Sequence, residues 1–222
     1  MAKEFRPGPK TIYQMNLSKY FSEQARRPSG FFGRIIMPII FDRGNAFLNS
    51  FVYDVIDIKP DDRILEIGCG TGSLIKEMAE KLENGFIEGI DFSSQMVTIA
   101  KRKNRKQIAR GAVNITEDHF DDHSFKKNIF TKACSVNTIY FWGKPERTVN
   151  KVMSLMQPGG KFVLAFEDVH QLEQRKLNRD VFRFYRRSDV RYLLENGGFS
   201  NGVSVESREK GRLRFHCAVA TK

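Results

Sequence analysis

The feature that most constrains this chain is the stretch Arg63-Ile64-Leu65-Glu66-Ile67-Gly68-Cys69-Gly70-Thr71-Gly72, which runs into an amphipathic segment from Ser73 to Leu82. An apolar run that passes an acidic residue and three alternating glycines before opening a helix describes a strand, a loop and a helix built for backbone contact with a ligand. Glycine lets such a loop turn tightly and leaves no Cβ between its amides and a bound molecule. A tight turn alone would need only one. The dinucleotide pattern G-x-G-x-x-G would place its third glycine where Ser73 stands, and here it falls one residue early, at Gly72. Glu66 adds a second difference: a carboxylate before the loop meets a pyrophosphate badly and suits a ligand with an ammonium or other cationic centre.

The chain around this unit alternates strands and helices. The turn Lys59-Pro60-Asp61-Asp62 feeds the first strand, Arg63 to Ile67. The helix after the loop carries Leu74, Ile75, Met78 and Leu82 on one face and stops at Asn84-Gly85. A second strand, Phe86 to Ile90, ends at Asp91. Strand, helix and strand in this spacing predict a right-handed parallel crossover, with ligands gathering at the C-terminal strand ends. Asp91 stands where a carboxylate can accept hydrogen bonds from ribose hydroxyls; the competing reading is a cap for the helix that begins near Ser93.

Further along, Met96, Val97, Ile99 and Ala100 mark a helix that ends in the basic run Lys101 to Lys106. That run reads as a solvated, dipole-compatible helix end or as a contact for a phosphate backbone. Strands are expected at Ala112 to Ile115, Ile129 to Val136 and Lys161 to Phe166, with a helix from Pro145 to Met156 and the turn Gln157-Pro158-Gly159-Gly160 between the last two. Glu167 to Arg187 interrupts the alternation with arginines and aromatics, either a substrate flap or an amphipathic helix using Phe182 and Tyr185 as core. A helix Asp189 to Glu195 capped by Ser188 and a hairpin of Val203 to Glu206 with Phe215 to Ala220 close the chain.

Residues 1–58 precede the alternating core. They read as an N-terminal helical cap packed over the sheet edge: a helical Tyr13 to Arg27 segment, a turn at Arg27-Pro28-Ser29-Gly30, a Phe-rich piece with Gly33, and a helix within Asp42 to Ile58. Residues 59–222 form one compact unit, in keeping with a 222-residue chain, long enough for one well-packed α/β domain. The balance of 37 basic to 26 acidic residues, net +11, raises the prospect of an anionic partner without establishing one. Cys69, Cys134 and Cys217 are odd in number and lie in apolar or glycine-rich segments, so reduced thiols are expected; no spacing suggests a metal. The first ten residues carry no apolar leader, and Phe31 to Phe41 is too short to cross a bilayer, so the expected location is cytoplasmic with no membrane span.

The E-x-G-x-G-x-G pattern of Glu66 to Gly72, with Asp91 and the Pro158-Gly159-Gly160 turn in the same order, resembles the class I S-adenosylmethionine (SAM)-dependent methyltransferases. The resemblance covers Lys59 to the C-terminus. It implies a doubly wound α/β fold with a seven-stranded, mostly parallel sheet of order 3-2-1-4-5-7-6, strand 7 antiparallel. It implies SAM as cofactor, S-adenosylhomocysteine (SAH) as product and no metal. It places SAM against Glu66, Gly68, Cys69, Gly70, Gly72, Asp91, Phe92, Met96, the adenine-side pair Glu117 and Asp118, and Asn137, with Tyr140 and Trp142 toward the acceptor. The family's Gly-Asp pair after the third strand is absent, leaving Asn114 as an alternative, and its Phe-Asp pair at the fourth strand appears as Phe130-Thr131. No residue is assigned as catalytic; His119, His123 and His170 read as surface histidines. The expected reaction is methyl transfer to a small molecule by in-line displacement. The alternatives are an RNA or protein methyltransferase and a non-catalytic SAM-binding protein.

Overall fold

The computed structural model describes residue 24 and residues 30–175, 177–199 and 202–222, with the side-chain surroundings of 30–41 excepted. Apart from residue 24, the expected Tyr13 to Arg27 helix and most of the turn after it lie outside the described residues.

Seven strands form one sheet: β1 (Arg63–Ile67), β2 (Phe86–Asp91), β3 (Val113–Glu117), β4 (Phe130–Val136), β5 (Met156–Glu167), β6 (Val203–Lys210) and β7 (Leu213–Thr221). Their order is β3-β2-β1-β4-β5-β7-β6. Pairs from β3 through β5 are parallel, and β7 is antiparallel to both neighbours. This is the order and the one reversed strand that the resemblance implied. The helices are α1 (Gly30–Ile56), α2 (Ser73–Ala79), α3 (Ser94–Lys103), α4 (Arg105–Ala109), α5 (Pro145–Leu155), α6 (Val169–Gln174) and α7 (Arg187–Asn196).

The two-residue period of a strand sends neighbouring side chains to opposite faces, and the core divides accordingly. Leu65 and Ile67 of β1, and Phe162, Leu164 and Phe166 of β5, belong to the core shared with α5 and α7. Ile64 of β1, and Val163 and Ala165 of β5, belong to the core shared with α1, α2 and α3. Glu66 therefore points to the α1 side, where it is buried.

The N-terminal part differs from expectation. The Phe-rich piece and the later helix are one continuous helix, α1. It lies across the face of β4, β5 and β7 rather than over the sheet edge. Leu48, Phe51, Val52 and Ile56, at helical spacing, are fully buried there. Each such side chain contributes roughly 1.5–3 kcal/mol by leaving water, which decides the face packing.

Smaller differences have local causes. β3 runs on to Glu117, and α7 starts at Arg187 because the Arg186 amide, rather than Ser188, opens it by donating to Asp189 Oδ2 at 2.8 Å. Thr131, where the family has an acidic residue, donates to Asp62 Oδ1 at 2.6 Å and accepts from the Arg63 amide at 3.0 Å. It ties the entries of β1 and β4 together. All three cysteines are buried and unpaired.

Candidate active site

The C-terminal ends of β1, β2, β4 and β5 open onto a cavity of about 830 Å³, walled on its other side by α1 and α6. The loop from β1 to α2 forms its floor. Gly68 and Gly70 hold left-handed backbone, φ +70° and +52°, and the Gly68 and Cys69 amides donate to the Ile90 carbonyl at 2.8 and 3.2 Å. A Cβ on Gly68 would lie 2.4 Å from the Thr138 methyl, whereas one on Gly70 would meet no atom of the described residues within 4 Å. The space over Gly70 is the room a ligand needs to lie against backbone.

Gly72, expected to touch the ligand, does not line the cavity. Its φ is +70°, and a Cβ there would sit 2.9 Å from the Ala100 Cβ and 2.6 Å from the Asn104 amide nitrogen. Asn104 is fully buried and donates to the Gly72 and Ala100 carbonyls, both at 2.9 Å. The third glycine thus lets α3 pack against the loop. Asn104 also breaks the basic run into two helices, so Lys101 to Lys106 is not one continuous face.

Two carboxylates face the cavity, Glu66 buried and Asp91 partly buried. Asp91 accepts the Gly70 amide on Oδ2 and the Ser93 amide on Oδ1, each at 2.9 Å. The helix-cap role belongs to Ser93, whose hydroxyl accepts the Met96 amide. Burial raises the Asp91 carboxyl above its usual range, and the two amides offset part of that. An ionised carboxylate offers about four acceptor positions, so about two remain for hydroxyl donors. Among the described residues Glu66 Oε2 is buried with no hydrogen-bond partner. Burial, then the nearby Asp91 and Glu77 charges, push its carboxyl well above the ordinary value. An orphaned acceptor of this kind costs roughly 1–3 kcal/mol or more until a donor arrives.

On the adenine side the pair Glu117 and Asp118 separates. Asp118 lines the cavity and bonds His123 Nδ1 at 2.9 Å. That bond, with the His119 amide, holds its carboxyl below the usual range. Glu117, the last residue of β3, is exposed and lies outside the cavity lining, although it has the same strand parity as the buried Val113 and Ile115. Asn114, the alternative, is exposed too and bonds Glu88. Phe92 lines the cavity in a parallel stack with His119 at 5.1 Å, and Met96 lies buried beside them.

At the other end, Asn137 takes left-handed backbone, φ +55°, and donates to Asn45 Oδ1 of α1 at 2.8 Å. The Tyr140 hydroxyl donates to Asn137 Oδ1 at 3.1 Å and accepts the Glu167 amide at 2.6 Å. Burial drives this phenol far above its usual range, and both of its hydrogen-bonding roles are filled. Trp142 and Phe182 complete an apolar wall, with Phe182 packed 4.7 Å from the Phe141 ring. The segment after Glu167 is thus core and cavity wall together.

Sequence reasoning missed Asp42. Its Oδ1 accepts the Ser73 hydroxyl at 2.9 Å and a short bond from the Thr71 hydroxyl, while Lys103 Nζ reaches Oδ2 at 2.9 Å. Burial works to raise this carboxyl, but the bonds from Thr71, Lys103 and Ser73 outweigh it and hold it low. The polar cluster Asp42-Arg43-Gly44-Asn45 after an apolar run was the available signal. Among the described residues no cluster of three His, Cys, Asp or Glu is arranged to hold a metal, and no helix is long and apolar enough to cross a membrane.

These residues fit SAM. The unpartnered Glu66 oxygen suits a cationic ligand, Asp91 has acceptors left for a pair of hydroxyls, and the space over Gly70 admits close approach.

Residues 64–160 match the family model described as "Methyltransferase domain". A putative methyltransferase of Bacillus subtilis, YrhH, is 30% identical over 120 residues, 54% of this chain and 66% of that protein. The ubiquinone/menaquinone biosynthesis C-methyltransferase UbiE of Bdellovibrio bacteriovorus is 24% identical over 192 residues, 80% of this chain and 76% of that protein. Among solved structures, a phosphoethanolamine N-methyltransferase of Haemonchus contortus with SAH bound superposes with TM-score 0.72 at 13% identity. That match covers 86% of this chain and 58% of the solved one, so the chain spans less than two thirds of its length.

Proposed function

We propose that this chain, which belongs to the class I SAM-dependent methyltransferase family, transfers a methyl group from SAM to a small-molecule acceptor. The observation that carries the reading is the buried Glu66 carboxylate, unpartnered among the described residues, beside Asp91 in a cavity that Tyr140, Trp142 and Phe182 wall elsewhere. When bound, SAM supplies a methyl group activated on a sulfonium. Glu66 would receive the ammonium of the donor's methionine part, and Asp91 the ribose hydroxyls. Phe92, Met96 and Asp118 would border the adenine, with Gly68, Cys69 and Gly70 beneath the donor through backbone alone.

The chain's remaining work is positioning and exclusion of water. Holding two reactants in line supplies on the order of 7–11 kcal/mol of barrier lowering. Asn137, fixed by Asn45 and Tyr140 at the end away from the adenine side, would set the approach of the acceptor. Tyr140 and Trp142 would seal the acceptor side. Two similarities support a small acceptor: the Bdellovibrio relative is named for quinone biosynthesis, and the Haemonchus neighbour binds phosphomonomethylethanolamine.

The test is incubation of the purified protein with methyl-labelled SAM and a cell extract split into small-molecule, RNA and protein fractions. Label in the small-molecule fraction supports the reading. Label in RNA or protein instead, or tight SAM binding with no label transferred, overturns it.

A further inference from the structure

Away from the donor carboxylates Glu66 and Asp91, the cavity has an uneven charge inventory. Its carboxylates there are all occupied: Glu167 by Arg175 at 3.0 Å and Gln171 at 2.8 Å, Asp121 by Thr148 at 2.9 Å, and Asp122 by Arg147 at 3.3 Å. Three cavity cations, Arg43, Lys144 and Lys210, have no carboxylate partner among the described residues. Two of them flank one apolar surface. Arg43 and Phe47 are one turn apart on α1 and so share a face. Lys210, near the tip of the β6–β7 hairpin, holds its ammonium 5.7 Å from the centre of the Phe47 ring. Phe47 in turn packs on Phe215 at 5.2 Å, and Leu213, one of the few exposed large apolar side chains, completes this wall.

An apolar wall with unpaired cations at its rim selects by charge as well as by area. A cationic acceptor would be repelled by Arg43 and Lys210, and a neutral one would strip water from them without replacing it. A carboxylate or phosphate would take charge-assisted hydrogen bonds from both while its apolar body covers Phe47 and Leu213. We infer that the methyl acceptor is an amphiphilic anion, an apolar molecule carrying a carboxylate or phosphate, held by Arg43 and Lys210 against the Phe47–Phe215 wall. This rests on the methyl-transfer reading above and specifies its acceptor.

The experiment uses the full chain with methyl-labelled SAM and the small-molecule fraction of a cell extract, passed after reaction over an anion-exchange resin at pH 8. Labelled product should be retained by the resin and should enter an organic solvent once acidified. Phosphatase treatment then separates a phosphate ester, which loses retention, from a carboxylate, which keeps it; both carry the anionic class. With R43Q/K210Q, label uptake at limiting extract should fall by about tenfold or more, as for lost hydrogen bonds to a charged group, while calorimetric affinity for SAH stays unchanged. Enzyme-dependent label in an unretained product other than SAM itself, neutral or cationic, overturns the anionic acceptor and leaves methyl transfer standing. Retained label with undiminished uptake by R43Q/K210Q overturns the assignment of these two residues. No label in any fraction overturns the methyl-transfer reading itself.

Discussion

Replacing Glu66 by glutamine should stabilise the protein and weaken its hold on SAM in the same molecule. Among the described residues Glu66 Oε2 is buried without a partner, and Asp91 and Glu77 add like charge nearby. Its folded carboxyl therefore titrates well above the unfolded value of about 4.3. Between those two values the folded state holds a proton that the unfolded state releases, so stability falls as pH rises through the window. It falls by at most about 1.4 kcal/mol per pH unit for this group, then stays low above the folded value. Glutamine keeps the shape and carries no charge, so this dependence disappears. An unsatisfied buried charge costs roughly 1–3 kcal/mol or more. Taking about 2 kcal/mol, E66Q should melt about 4–8 °C higher than the parent at pH 8 and at nearly the same temperature at pH 4. SAM affinity should drop about tenfold or more, as for a lost hydrogen bond to a charged group. Circular-dichroism melts from pH 4 to 8 and titration calorimetry with SAM read both quantities. If E66Q melts no higher than the parent at pH 8, or binds SAM equally well, the assignment of Glu66 as a carboxylate kept open for the donor is wrong.

The glycines of the loop should respond in opposite senses. Gly72→Ala forces Cβ into Ala100 and Asn104 at positive φ and should cost about 2–5 kcal/mol in urea unfolding. Gly70→Ala, with open space at its Cβ, should cost only the left-handed backbone, about 1–2 kcal/mol, yet weaken SAM more than tenfold; the reverse ranking would show that the ligand lies elsewhere. Tyr140→Phe strips partners from the Glu167 amide and Asn137 Oδ1 and should destabilise by about 2–4 kcal/mol. Its rate profile between pH 6 and 9 should keep the parent's shape, because burial keeps the phenol protonated there; loss of an alkaline limb in the variant would make Tyr140 a base.

Local chemistry explains which parts were legible in the sequence. Strands β1, β2, β4 and β5 announce themselves through apolar runs bounded by glycine, proline and acidic residues; the expected Pro158-Gly159-Gly160 turn is instead an irregular stretch inside β5, between its pairings at Met156 and Lys161. Glu66 and Asp91 follow because strand ends and a glycine loop bring them together within one βαβ unit. Asp42 does not follow, since its partners Thr71, Ser73 and Lys103 are remote in the chain and meet only when α1 lies across the sheet. Gly72 and Glu117 stand outside the cavity lining for reasons their position along the chain does not carry: Gly72 packs against Ala100 and Asn104, and Glu117 ends β3 with its side chain exposed.

Helix α1 carries Asp42, bonded to the donor loop, and Phe47, on the acceptor wall. The two are separated by about 7.5 Å of helix rise, and below them the helix is anchored by Leu48, Phe51 and Val52. The two ends of the cavity therefore share one wall, and fixing that wall from one side is expected to favour occupancy on the other. Thermodynamic linkage makes such coupling reciprocal: the factor by which SAH tightens acceptor binding equals the factor by which acceptor tightens SAH, and cutting the Asp42 bonds should reduce both together.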